Sequence, residues 1–188
     1  MKESKTPTNV HMTRLAFIEE MFSLTPPTGY ILEFGVGCGA SMWRLSKNTT
    51  RRVIGFDSFE GLPEPWKYSD ETIYQAGDMN YDPPRRLPNV IYVKGWFADS
   101  IPVWKKTYKA DIAFIHIDAD LYSSCKTVLT ELNEQIVPGT IILFDEIFNY
   151  QYWKEGEWKA LQEWIVECSR EVVFIDENYT QAAYRVIK

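Results

Sequence analysis

Between Tyr30 and Ile187 the chain alternates short, almost wholly apolar runs with stretches in which apolar residues recur at helical spacing. The runs are Tyr30–Phe34, Val53–Phe56, Val90–Val93, Ile112–Ile117 and Thr140–Phe144, with Val172–Ile175 and Ala182–Ile187 closing the chain. Each has strand length. The segments Ala40–Lys47, Ser100–Thr107, Ser123–Gln135 and Glu157–Glu167 predict helices. A further amphipathic helix over Thr13–Ser23 carries Leu15, Ile18, Met21 and Phe22 on one face, and Thr25-Pro26-Pro27-Thr28-Gly29 ends it.

Strands that are apolar throughout and separated by helices predict a parallel sheet covered on both faces. The link Asp176–Thr180 is too short for a helical crossover, so the last two strands should pair antiparallel. The expected fold is therefore α/β: a Rossmann-like doubly wound sheet of about seven strands with an antiparallel terminal strand. It should form one domain over residues 1–188, with 1–29 as N-terminal helix and linker. Residues 61–89 are irregular and rich in Pro, Asp and Tyr, which reads as a lid or a disordered loop.

At 188 residues the chain suits a single domain with a full core. A net charge of −6 argues against nucleic acid, which is bound through clustered Lys and Arg. Here the basic pairs Arg51-Arg52, Arg85-Arg86 and Lys105-Lys106 are scattered. No apolar run approaches the roughly 18–20 residues that span a bilayer, so no membrane is expected. Met1–Pro7 lacks the apolar stretch of a signal peptide. Cys38, Cys125 and Cys168 form neither a disulfide framework nor a metal knuckle, which suggests a reducing cytoplasm. A second copy of the chain is a candidate partner.

The first strand runs into Gly35-Val36-Gly37-Cys38-Gly39, and a helix carrying Ser41 follows. In open α/β sheets ligands bind at such strand-to-helix turns, where glycine lets a ligand approach the backbone. Asp57, at the end of the second strand, suits the hydroxyls of a ribose, with Ser58 and Phe59 beside it. Trp96 and Phe97 follow the third strand, where an adenine would lie. Cys38 reads as a small packing residue. The string also satisfies GxGxxG/A, so a nicotinamide dinucleotide and an oxidoreductase remain open, as does a non-catalytic nucleoside-binding module. Glu33 separates the first two: a carboxylate beside the loop repels a pyrophosphate but suits the ammonium and sulfonium of S-adenosylmethionine. Glu33-x-Gly35-x-Gly37-x-Gly39 resembles motif I of class I methyltransferases, and the terminal antiparallel strand resembles their sheet.

Two further strands end in acids, Asp118-Ala119-Asp120 and Asp145-Glu146. Acids directly after apolar strands are costly unless they reach a site edge or meet a cation. Carboxylates converging there repel one another, and all-oxygen donors favour Mg²⁺. Asp118-Ala119-Asp120-Leu121-Tyr122-Ser123-Ser124, Pro138-Gly139-Thr140 and Asp145-Glu146 resemble the macrocin O-methyltransferase family, which methylates antibiotic sugars, over about residues 30 to 150. By that resemblance Asp118, Asp145 and Glu146 hold Mg²⁺. The family usually has Asp-Asp where this chain has Asp145-Glu146, so Glu146 coordinates, orients the acceptor or serves as base. The chain is also shorter than the antibiotic enzymes.

The implied activity is S-adenosylmethionine-dependent O-methylation of a small-molecule or carbohydrate acceptor. Asp118 is the expected base and Glu146 the second candidate. His116 lies within an apolar strand and reads as a core histidine rather than a base. The aromatic residues Trp66, Tyr68, Tyr74 and Tyr81 in the long loop, and Phe148, Tyr150, Tyr152 and Trp153 after Glu146, would suit sugar faces or pack a lid. Gln181 is placed to reach the same pocket.

Overall fold

The computed structural model describes residues 10–188, with side chains described from Arg14 onward. Met1–Pro7, read above for a leader, lies outside the described residues. The strands β1 (Tyr30–Phe34), β2 (Val53–Asp57), β5 (Val90–Lys94), β6 (Ile112–Ile117), β7 (Ile136–Phe144), β8 (Val172–Asn178) and β9 (Gln181–Val186) form a seven-stranded sheet in the order β5-β2-β1-β6-β7-β9-β8. The first five of these pair in parallel, whereas β9 pairs antiparallel with both β7 and β8. This is the doubly wound sheet with its antiparallel end that the spacing predicts.

Period-two alternation sorts the strand residues onto two faces. Ile31, Phe114, Ile141, Leu143 and Ala183 pack against α1 (Val10–Ser23) and α2 (Ala40–Lys47), which contribute Phe17, Met21, Phe22, Met42 and Leu45. Leu32, Phe34, Ile115, Ile117, Ile142 and Phe144 face the opposite layer. That layer is α3 (Phe97–Thr107), α4 (Tyr122–Glu131) and α5 (Glu157–Glu167), which bring in Ile101, Trp104, Val128, Leu129, Leu161 and Trp164. Both faces are thus dry, which accounts for strands without polar alternation.

α3 begins at Phe97 rather than Ser100 and β8 runs on to Asn178 rather than Ile175, while two further boundaries shift at β7 and α4. β7 begins at Ile136 because Pro138-Gly139 sits in a bulge, where the register with β6 shifts and Thr140 Oγ1 accepts the Val137 N–H. A bulge tolerates proline's missing donor. α4 ends at Glu131 rather than Gln135: the N–H groups of Asn133 and Gln135 turn to carbonyls three residues back, those of Thr130 and Leu132, and the Gln135 side chain donates to the carbonyls of Tyr108 and Ala110. Within residues 61–89 lies a small hairpin, β3 (Trp66–Lys67) with β4 (Ile73–Tyr74), whose two-residue strands are too short to show a period.

Register is what builds the site. Phe56, Phe34, Ile117 and Phe144 stand side by side as partners across β2, β1, β6 and β7. One residue farther along, Asp57, Gly35, Asp118 and Asp145 therefore emerge together at one edge of the sheet. The turn is fixed by backbone bonds: Gly35 N–H to Phe56 O, Asp118 N–H to Phe34 O, and Asp145 N–H to Ile117 O. Because β9 runs the other way and Phe144 pairs with Ala182, Gln181 lands beside Asp145.

Candidate active site

A cavity of about 650 Å³ opens over this edge, a volume in the range of small-ligand sites. Gly35, Val36 and Gly37 form one wall, and Asp118, Asp145 and Glu146 another. Ser41, Asp57, Ser58, Trp96 and Phe97 also line it. So do Trp66, Tyr68, Tyr74 and Tyr81 of the long loop.

The three loop glycines have left-handed φ values of 90°, 50° and 82°. Their surroundings differ. A Cβ on Gly35 would lie 1.7 Å from the Asp118 carbonyl oxygen, and one on Gly39 2.7 Å from the Pro84 ring. Those two are glycine for the protein's own packing. At Gly37 the nearest atoms are 3.6 Å away, in the Tyr81 ring, so this glycine leaves its space to the cavity. The loop is tied down by Asp57, whose Oδ2 accepts the N–H groups of Val36 and Gly37 at 2.8 and 2.9 Å while Oδ1 accepts that of Phe59 at 2.7 Å. A carboxylate has about four acceptor positions, so one remains for a ribose hydroxyl.

Glu33 stands differently from the expectation that it meets a cofactor cation. It is 0% exposed and does not line the cavity, because the β1–β6 register pairs it with His116 on the same face. Its Oε1 accepts from Ser41 Oγ at 2.7 Å and its Oε2 lies 3.2 Å from His116 Nδ1. Its reach to the cavity is through Ser41. Phe59 does not line the cavity either; half-buried, it stands edge-on to Tyr92 against the core on the α1–α2 side. Gln181 is fully buried rather than pocket-lining, and its Nε2 donates to Asp145 Oδ1. Of the aromatics after Glu146, Phe148 and Trp153 pack with Trp158, and Tyr150 stacks on Tyr68 at 5.1 Å.

The acids form two groups with donor atoms within 4.8 Å of one another: Asp118, Asp120 and Glu146, and separately Asp118, Asp145 and His116. The expected trio of Asp118, Asp145 and Glu146 thus shares Asp118 between two clusters. Between Asp145 and Glu146 lies the guanidinium of Arg14, which pairs with both. Burial works against the charge on Arg14, but Glu146 and Asp118 outweigh it and its pKa rises. The crowding acts oppositely on the acids. Burial, then the charge of Glu146, pushes the Asp118 carboxyl up to about 7, while His116 and Arg14 pull it down. Burial, Glu146 and Asp118 push Asp120 well above its ordinary value.

Sequence reasoning gave no role to three residues here. Asp120 is held at φ 59°, which aims it into the cavity beside Asp118. Arg14 comes from α1, far from any motif. Glu157, at the start of α5, is fully buried and takes the N–H of Ala119 on Oε1 and that of Glu146 on Oε2, at 3.5 and 3.3 Å. It so clamps the two acid-bearing turns, and burial with the neighbouring acids raises its own pKa well above the ordinary carboxylate range. Asp120 was legible as part of Asp-x-Asp; the other two depend on tertiary placement.

The donor set fits a divalent cation. It is all oxygen around Asp118, Asp120 and Glu146, and Glu146 Oε2 is buried with no hydrogen-bond partner among the described residues, an orphan that a cation would satisfy. The glycine wall, the space at Gly37 and the spare acceptor on Asp57 fit a nucleoside.

A macrocin O-methyltransferase (TylF) family model matches residues 86–164. A tetracenomycin rhamnosyl 4'-O-methyltransferase of Streptomyces olivaceus is 27% identical over 63% of this chain and 52% of its own length, so the chain spans about half of that relative. A calicheamicin methyltransferase structure superposes with a TM-score of 0.70 at 22% identity, covering 93% of this chain and 79% of that one. The mycinamycin-pathway MycE methyltransferase, solved with Mg and S-adenosylhomocysteine, gives 0.61 at 12% identity, over 98% of this chain and 56% of that one. The chain has the class I methyltransferase fold, and in sequence it resembles the macrocin O-methyltransferase family.

Proposed function

We propose that this chain is an S-adenosylmethionine-dependent O-methyltransferase, assisted by Mg²⁺, whose acceptor is a hydroxyl of a sugar-bearing small molecule. The observation that carries the reading is the shared edge: register sets the glycine loop and the acids of β6 and β7 in one cavity. The sugar-methylating relative and the Mg-bound fold neighbour support the acceptor class and the metal respectively.

When bound, the cofactor would supply an electrophilic methyl carbon and the metal would lower the pKa of a coordinated hydroxyl. The chain's own residues do the rest. The Gly35–Gly37 wall and Asp57 would hold the nucleoside, with Trp96 and Phe97 at the adenine end. Asp118 and Glu146, with Asp120 beside them, would hold the cation, and Asp145, which shares Asp118 with the second cluster, would be its remaining ligand. Asp118 is the base we favour, since it would lie between the cation and the acceptor hydroxyl; without the cation, burial and Glu146 push its carboxyl up to about 7. Glu146 is the second candidate. Trp66 and Tyr74, stacked at 5.3 Å, offer a flat apolar wall for a sugar face. Alignment of acceptor and methyl group in this walled space supplies much of the rate.

Isothermal titration tests the donor half: S-adenosylmethionine should bind at micromolar level and Asp57→Ala should weaken it strongly, whereas binding of NAD alone would favour an oxidoreductase. Labelled cofactor screened against nucleotide sugars and phenols, with and without EDTA, tests the rest. Transfer indifferent to EDTA, with Asp145→Ala fully active, would make the acid cluster structural.

A further inference from the structure

A line of polar side chains crosses the sheet on the face otherwise made of Ile31, Phe114, Ile141 and Leu143. It runs Ser41, Glu33, His116, Asp145, Gln181, and every member is at most 8% exposed. Ser41 Oγ donates to Glu33 Oε1, Glu33 Oε2 holds His116 Nδ1, and Gln181 Nε2 donates to Asp145 Oδ1. One gap interrupts it. His116 Nε2 is buried without a hydrogen-bond partner among the described residues, and the atom it faces is Asp145 Oδ1, 3.6 Å away.

Burying such groups in an apolar layer is costly, and an apolar replacement would often be neutral or stabilising. A histidine kept there is best explained by what it does to its neighbour. The neighbour is Asp145, the only one of the five that both belongs to this line and lines the cavity besides Ser41. We propose that His116 is a positioning residue for Asp145: Glu33, fixed by Ser41, locks the imidazole so that an Nε2–H is aimed at Asp145 Oδ1. With Gln181 donating to the same oxygen, Oδ1 is held from two sides and Oδ2 is the oxygen turned to the cavity, where Arg14 now meets it. The proton count favours this arrangement whichever group keeps the proton shared by Glu33 and Nδ1. A bare Nε2 would set a lone pair against a carboxylate oxygen, so that nitrogen carries hydrogen. Closing 3.6 Å to hydrogen-bonding distance needs a shift of only a few tenths of an ångström.

The inference rests on the reading that Asp145 serves a cation, as histidine and carboxylate partners commonly orient metal-binding groups from behind. Two substitutions separate the ring's ends. In His116→Gln the amide nitrogen can stand where Nε2 stands and still donate to Asp145; in His116→Asn it stands near Nδ1 and cannot. With Mn²⁺ alone as probe, followed by electron paramagnetic resonance on the full chain, His116→Gln should keep affinity within about threefold. His116→Asn should lose about 10–100-fold. Equal affinities in both variants, whether at the wild-type level or equally reduced along with the melting temperature, would overturn the proposal. A second readout needs no metal: ¹H–¹⁵N spectra of the wild-type ring should show an exchange-protected Nε2–H, and a ring protonated only at Nδ1 overturns the idea. Should the wild-type chain bind no Mn²⁺ while the Nε2–H is present, the metal reading of Asp145 fails and the positioning role stands.

Discussion

Arg14 of α1 and Glu146 at the end of β7 form an ion pair inside the acid cluster, and the same guanidinium also pairs with Asp145. α1 therefore brings the cluster a cation of its own. Removing it leaves two adjacent carboxylates facing each other in a partly dry site. Arg14→Gln should cost about 1.5–3 kcal/mol, the range for hydrogen bonds to charged groups. Because Mg²⁺ would occupy the same negative region, the melting temperature of Arg14→Gln should recover with added Mg²⁺ more than that of the wild type. A variant whose deficit ignores Mg²⁺ up to millimolar levels would separate Arg14 from any metal site.

The loop glycines should answer substitution in opposite ways. Gly35→Ala drives a methyl into the Asp118 carbonyl, a backbone atom that cannot step aside, at a φ of 90°. It should abolish soluble folded protein. Gly37→Ala meets nothing closer than 3.6 Å and pays mainly for the left-handed backbone, about 1–2 kcal/mol. That variant should fold, with a modest drop in melting temperature, yet bind S-adenosylmethionine at least tenfold more weakly by titration calorimetry.

Glu157 offers a test of how the two acidic turns are held. Its two oxygens receive N–H groups from Ala119 and Glu146, one on each turn. Glu157→Ala leaves both donors buried and unsatisfied and should cost about 1–3 kcal/mol for each lost bond. Glu157→Gln keeps one acceptor oxygen and, being uncharged like the protonated acid, should keep more than half of that stability in urea unfolding. Its activity should fall further than its stability, because only one turn stays anchored.

These residues also mark how far the sequence could be read. The sheet was legible because strands buried on both faces are apolar throughout, and the link read as Asp176–Thr180, in fact only Tyr179-Thr180, is too short to cross over. The acids at the ends of β6 and β7 were legible because acids there contradict the apolar run before them. Glu33 was legible as a feature but not in its orientation. Which way it turns depends on its pairing with His116 across a parallel ladder, a relationship between residues 83 positions apart. Arg14 and Glu157 were hidden for the same reason: each sits on an ordinary helix, and only the packing of α1 and α5 against the sheet edge gives it a partner. The hairpin at Trp66–Tyr74 is held by stacked rings rather than by strand length, so no periodicity announces it.

Asp118 gives the chain a pH dependence whose sign can be worked out. Its carboxyl is pushed up to about 7 in the fold, by burial first and Glu146 second, from an ordinary value near 3.8. The groups around it are Glu146 after β7, His116 on its own strand, Asp120 two residues on, Arg14 from α1, Glu33 from β1 and Glu157 from α5. Between about pH 4 and pH 7 the folded chain keeps a proton that the unfolded chain has released, so the folded state binds more protons there. Stability must then fall as pH rises through that window. Urea midpoints measured without metal should decline from pH 5 to pH 7.5, and Asp118→Asn, which cannot ionise, should make the decline shallower, leaving the share that Asp120 and Glu157 contribute in the same direction. A divalent cation favours the ionised carboxylate, so saturating Mg²⁺ should flatten it too. Methyl transfer at limiting Mg²⁺ should move the other way, rising with pH as Asp118 ionises, and saturating Mg²⁺ should move that rise to lower pH. Stability that climbs between pH 5 and pH 7.5, in wild type and Asp118→Asn alike, would show that Asp118 ionises freely and is no poised base.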